Sequence, residues 1–143
     1  MRKILKIFIL FLFGGVSYLL VEMAYRGYTH WTMLLVGGTC FVLLGVQNEI
    51  YTWEMPFVMQ CLIGSLIVTT VEFVSGCIIN LSLGWNVWDY SSLPCNLLGQ
   101  ICLLFSVVWV FLSIPAIILD DYLRYWLFGE EKPHYTLFGG KKL

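Results

Sequence analysis

The sequence predicts an all-α integral membrane protein, a four-transmembrane-helix bundle with both termini cytoplasmic. Three observations carry that prediction. The chain is 59% hydrophobic and only 12% charged over 143 residues, roughly half the charged share of a soluble domain. Four apolar runs reach the roughly 20 residues that a helix needs to cross a bilayer. The basic residues gather near the two ends of the chain.

The first span is read over residues 4–24. Its opening, "MRKILKIFILFLFGGVS", resembles a secretory signal: a basic start, an apolar run, and small residues at Gly15 and Ser17. Apolar residues continue to Ala24, so it is read as an uncleaved span. The second span covers residues 31–47, the third 57–80 and the fourth 94–119. Glycines inside these runs do not demote them, because Gly marks close helix contact in membranes. Residues 1–119 then form one transmembrane domain. Residues 120–143, "DDYLRYWLFGEEKPHYTLFGGKKL", mix aromatics with charge and are expected as a tail along the cytoplasmic interface.

Orientation follows the basic residues. Arg2, Lys3 and Lys6 precede or open the first span; Arg124, Lys132, Lys141 and Lys142 follow the fourth; only Arg26 lies in a connecting loop. An even number of spans puts both ends on one side, and the basic bias makes that side the cytoplasm. The loops "YRGYTH" and "SLGWNVWDYSSL" then face out, and "NEIYTWEM" faces in.

Several function classes are disfavoured at once. A net charge of −1 leaves no footprint for nucleic acid. No Walker A loop is present, so the chain does not hydrolyse ATP by that route. Cys40, Cys61, Cys77, Cys95 and Cys102 have no ligand spacing and read as small buried hydrophobes, although Cys77 and Cys95 both fall near the outer surface, where a disulfide is geometrically open. No helix pairs metal ligands at the spacing a bundle site favours, so neither metal nor cofactor is expected.

The third span carries the clearest polar signal. Gln60, Gly64, Glu72, Gly76 and Asn80 fall at multiples of four, with Ser65 and Thr69 beside them. They make one small and polar stripe, and the opposite face, with Leu62, Leu66, Phe73 and Ile78, suits lipid. Glu72 lies eight residues from Asn80, roughly 12 Å below the outer end at 1.5 Å per residue. A lone charge at that depth costs a few kcal/mol, so it must be neutralised or paired. Glu22 and Arg26 are four apart at the outer end of the first span, with Tyr18 on the same face, and Arg26 is the expected partner of one or both carboxylates. Asn96, Gly99 and Gln100 come from the outer end of the fourth span, and Asp89 from the loop above. Glu22, Arg26, Glu72, Asn80, Asp89, Asn96 and Gln100 are therefore the candidate binding residues of an outer polar pocket. Asn48 and Glu49 fall on the cytoplasmic side, away from it.

The segments "YLLVEMAYRG", "HWTMLLVGG" and "VTTVEFVSGCIINLSLGWNVWDYSSLPCNLLGQICLLFSVVW" resemble the CmpB-like family of small bacterial membrane proteins, labelled ABC-transporter type IV. The resemblance covers most of the chain, and its most telling pieces are "EFVSG", "WDYS" and the "N..GQI" that follows. It implies a membrane component of a transporter in the bacterial plasma membrane, driven by a separate ATPase subunit, and four spans then call for a homo-oligomer or a larger partner in the lipid bilayer. The family's motif positions include Glu22, Arg26, Glu72, Asn80, Asp89, Asn96 and Gln100, the residues already gathered by spacing.

Three functions fit these residues. Transport or solute binding would use Glu72 as a proton or cation site. An intramembrane enzyme acting on a lipid head group would need Glu72 and Asp89 to converge on one cavity, with Arg26 receiving phosphate. A structural subunit would use the polar cluster only to lock four helices together.

Overall fold

Each of the four long apolar runs contributes one long helix to the computed structural model, which describes residues 1–139. Helix α1 (Arg2–Arg26) stops at Gly27, whose φ of 77° lets its N–H close back on the Met23 carbonyl. Helix α2 (Thr32–Ile50) returns, and α3 (Phe57–Gly76) runs on into a single π-helical turn, Cys77–Ser82. Strands β1 (Asn96–Leu97) and β2 (Ile101–Cys102) pair antiparallel as a small hairpin before α4 (Leu103–Phe128). Lys6 in α1 contacts Glu130 just beyond α4, so the start of α1 and the end of α4 share one end of the bundle, here called the terminal end. The α1–α2 connection and the hairpin form the other.

The fourth span differs from expectation at both ends. It starts at Leu103 rather than near Pro94, because Cys95, Leu98 and Gly99 have φ values of 56°, 54° and 69°, which no right-handed helix accepts. It also continues well past Leu119. Residues 120–128 are helix rather than tail, and Asp120, Asp121 and Arg124 are buried among the helices. The helix carries these charges because they answer one another: Arg124 Nε lies 2.5 Å from Asp120 Oδ2, and Arg124 also pairs with Glu49. Of the basic residues used for orientation, Lys141 and Lys142 lie outside the described residues.

Small residues set how closely the helices pack. A Cβ on Gly37 would stand 2.5 Å from the Tyr18 Cβ, and one on Gly14 would overlap Phe41, so α1 and α2 touch through glycine. Between α3 and α4 the contact is polar. Ser65 Oγ donates to the Ser106 carbonyl at 2.5 Å, and the Thr69 and Ser106 hydroxyls lie 2.9 Å apart. The stripe read along α3 faces inward: Gln60, Gly64, Ser65, Glu72, Gly76 and Asn80 are all buried, whereas Leu62, Leu66 and Ile78 are exposed on the outside.

Two apolar clusters hold the ends. Leu44, Phe57, Cys61, Ile117 and Tyr135 pack at the terminal end, and Met33, Ile79, Val87 and Trp88 at the hairpin end. The segment after α4 folds back over the terminal end. There the Thr136 carbonyl accepts the Phe57 N–H at 2.7 Å, and the Leu137 carbonyl accepts that of Val58 at 3.5 Å. The first turn of α3, which has no partners of its own for these groups, is thereby completed.

Candidate functional site

Glu72 is buried on the inner face of α3, and both its oxygens are engaged. Oε1 accepts the Tyr90 hydroxyl at 2.7 Å, and Oε2 accepts the Trp109 indole N–H at 3.0 Å. The partners are two neutral donors; of the two carboxylates open to Arg26 by spacing, it takes Glu22 and not Glu72. Each carboxylate oxygen keeps a further lone pair for another donor. Tyr90 comes from the loop before the hairpin and stacks on Phe105 of α4, with ring centroids 4.7 Å apart. Burial first, and then the nearby Glu72 carboxylate, push its phenol well above the ordinary tyrosine range. It therefore stays protonated and able to donate.

Arg26 serves a different acid. Its Nη2 lies 2.8 Å from Glu22 Oε1, one helical turn back, and its Nη1 donates to the Val87 carbonyl at 3.1 Å. Glu22 Oε2 accepts from the Thr29 hydroxyl at 2.7 Å. The pair thus ties the end of α1 to the loop over α3, and the guanidinium lies 4.8 Å above the Tyr28 ring.

Asn80, Gln100 and Asn96 hold the hairpin end together. Asn80 Nδ2 donates to Gln100 Oε1 at 2.8 Å while its Oδ1 accepts the Val87 N–H at 2.7 Å. The Trp88 indole donates to the Gln100 carbonyl at 3.0 Å. Gly76 makes room for this network, since a Cβ there would stand 2.6 Å from Gln100 Oε1. Asn96 shapes the turn, with Nδ2 donating to the Leu93 carbonyl at 2.8 Å and Oδ1 accepting the Gly99 N–H at 3.0 Å. Asp89 is exposed, its Oδ1 taking both the N–H and the hydroxyl of Ser91. Those bonds hold its carboxyl below the ordinary aspartate value.

Two adjoining chambers open inside the bundle. One, of about 230 Å³, lies between α1, α2 and α4, lined by apolar groups such as Phe41, Leu44, Val68 and Leu112. The other, of about 370 Å³, lies toward the hairpin end and is lined by Glu22, Arg26, Trp88, Tyr90 and Phe105. Tyr18, Val21, Met33, Glu72, Trp109 and Leu112 line both, so Glu72 stands where the chambers meet. Val21 of α1 and Leu104 and Leu112 of α4 belong to the lining and are also exposed.

Of the candidate residues, Glu22, Arg26 and Glu72 line these chambers. Asn80, Asp89, Asn96 and Gln100 line neither and act on the hairpin instead. Tyr90 and Trp109 were not picked out as its partners by spacing. A tryptophan within an apolar span was their signal, since a buried indole N–H needs an acceptor. Cys77 and Cys95 are not bridged, and all five cysteines are free. Among the described residues no three His, Cys, Asp or Glu side chains gather as a metal site.

Among the described residues, the arrangement presents one carboxylate without a cationic partner at the waist of an aromatic and aliphatic cavity. It can take up a proton or hold a hydrogen-bonding or cationic group, with room for an apolar body on either side. No curated protein and no solved structure matches the chain significantly. The model of the CmpB-like family, described as "Putative ABC-transporter type IV", matches residues 7–127, from the first turns of α1 to the last residues of α4, and the chain belongs to that family.

Proposed function

We propose that the protein is the membrane-embedded, solute-binding component of a transport system, and that its cavity takes a small amphipathic molecule through the α1–α4 seam. The observation that carries this reading is the position of Glu72 at the junction of the two chambers. An occupant would set a basic or hydrogen-bonding group against Glu72 and its apolar part among Phe41, Leu44 and Leu112. Glu22 and Arg26 set the polarity of the wider chamber. The family description supports a transport role, and a carboxylate inside a membrane is a usual coupling device in transporters.

The fuller arrangement has both termini in the cytoplasm, a plasma-membrane location, a homo-oligomer or larger assembly, and a separate ATPase subunit contacting "QNEIYTWEMP". The basic residues at the chain ends and the small number of spans support it. The enzymatic alternative is weaker, because Asp89 lies outside the cavity and gives Glu72 no second acid.

Purification in mild detergent from the native membrane, followed by mass spectrometry, tests the proposal. A small molecule retained by the wild type and lost in Glu72→Gln supports it, and recovery of an ATPase supports the partner. A Glu72→Gln protein with unchanged bound molecules overturns the role of Glu72.

A further inference from the structure

The lining of the wider chamber narrows what can occupy it. Four rings follow one another there. Tyr18 and Trp109 have centroids 6.3 Å apart, Trp109 and Phe105 6.2 Å, and Phe105 and Tyr90 4.7 Å. All four line the chamber, with Trp88 as a fifth. The two groups that donate to Glu72, the Tyr90 hydroxyl and the Trp109 indole N–H, belong to this row. The carboxylate, 7% exposed, therefore sits among rings rather than apart from them.

The charges in the lining do not balance. Glu22 and Arg26 answer each other at 2.8 Å. Among the described residues, that leaves Glu72 as the one carboxylate lining either chamber without a cation against it. A neutral occupant leaves this acid to be silenced by a proton, whereas a cationic one answers it directly.

The supply of acceptors decides which kind of cation fits. Apart from Glu72 and the Glu22–Arg26 pair, the polar side chains lining the wider chamber are tyrosines and tryptophans. A primary ammonium is strongly hydrated and brings three N–H donors, for which this lining holds few acceptors. A tertiary or quaternary ammonium brings one N–H or none, and its charge is attracted to the faces of aromatic rings. Given the solute-binding reading of this cavity, we infer that its occupant is a lipophilic organic cation, a tertiary or quaternary ammonium. Its nitrogen faces Glu72 among the rings, and its apolar body extends into the narrower chamber among Phe41, Leu44 and Val68.

Equilibrium dialysis of the full-length protein in dodecyl maltoside, against empty micelles, tests the inference with three probes of one shape family. Benzyltrimethylammonium is a permanent cation, neopentylbenzene its uncharged isostere, and benzylamine a primary ammonium. Benzyltrimethylammonium should bind saturably, and about tenfold or more tighter than either of the others. Glu72→Gln should weaken it by about tenfold or more. Phe105→Leu keeps the carboxylate and both its donors, and should weaken it about fivefold, so the inference stays open to test if Glu72→Gln does not fold. Equal binding of neopentylbenzene overturns the cationic class, and equal binding of benzylamine overturns the substituted ammonium; either leaves the solute-binding reading standing. An affinity that Phe105→Leu leaves unchanged overturns the role of the rings. No saturable binding of any probe overturns the solute-binding reading along with the inference.

Discussion

Tyr90, in the loop before the hairpin, donates its hydroxyl to Glu72 on α3 over 2.7 Å and so links that loop to the junction of the two chambers. The bond joins residues 18 apart in sequence and fixes the one acid at the chamber junction. Tyr90→Phe removes the donor and leaves Oε1 short of a partner at a buried site. The expected cost is about 1–3 kcal/mol in unfolding free energy, read by denaturation in detergent. A variant as stable as the wild type would show that this bond contributes nothing.

The glycine contact between α1 and α2 makes a steric prediction. Gly37→Ala would force a methyl to within 2.5 Å of Tyr18 Cβ, for an expected destabilisation of about 1–3 kcal/mol. Leu35→Ala, on the exposed face of α2, should shift the same transition far less. Equal effects at the two positions would contradict the close packing.

Stability should fall on the alkaline side. Burial, and then Glu72 or Asp121 nearby, raise the folded phenols of Tyr90 and Tyr135 above their ordinary value of 10.0. Above that pH the unfolded chain loses these protons while the folded protein retains them, so deprotonation favours unfolding increasingly as pH rises. Tyr135→Phe should reduce the steepness of the decline, measured as unfolding midpoint against pH from 9 upward.

Thiol accessibility separates the cysteines. Cys95 is exposed on the hairpin, and Cys61 and Cys102 are buried. A maleimide should modify Cys95 in the folded protein and reach Cys61 and Cys102 only after denaturation. If the termini are cytoplasmic, a membrane-impermeant maleimide will label Cys95 in intact cells. Labelling only after lysis would reverse the orientation.

The four helices were legible because length and hydropathy alone specify a span, and the polar face of α3 because helical spacing is local. Other features needed information from across the fold. Residues 94–102 are apolar enough to read as helix, yet left-handed backbone at Cys95, Leu98 and Gly99 makes them a hairpin; Pro94, with Asn96 three residues before Gly99, was the overlooked turn signal. Asp120 and Asp121 read as the end of a membrane run because a sequence does not display Arg124 and Asn48 folded against them. The partners of Glu72 were not legible for a related reason: spacing along α1 put Arg26 at the right end of the bundle but did not decide between Glu22 and Glu72.

The bonds from Thr136 and Leu137 to the start of α3 also impose an order in time. When α3 is made, the chain segment that completes its first turn does not yet exist. The Phe57 and Val58 N–H groups must wait until residues 136 and 137 have left the ribosome. The terminal end of the bundle therefore closes only after α4 and the segment beyond it have been made.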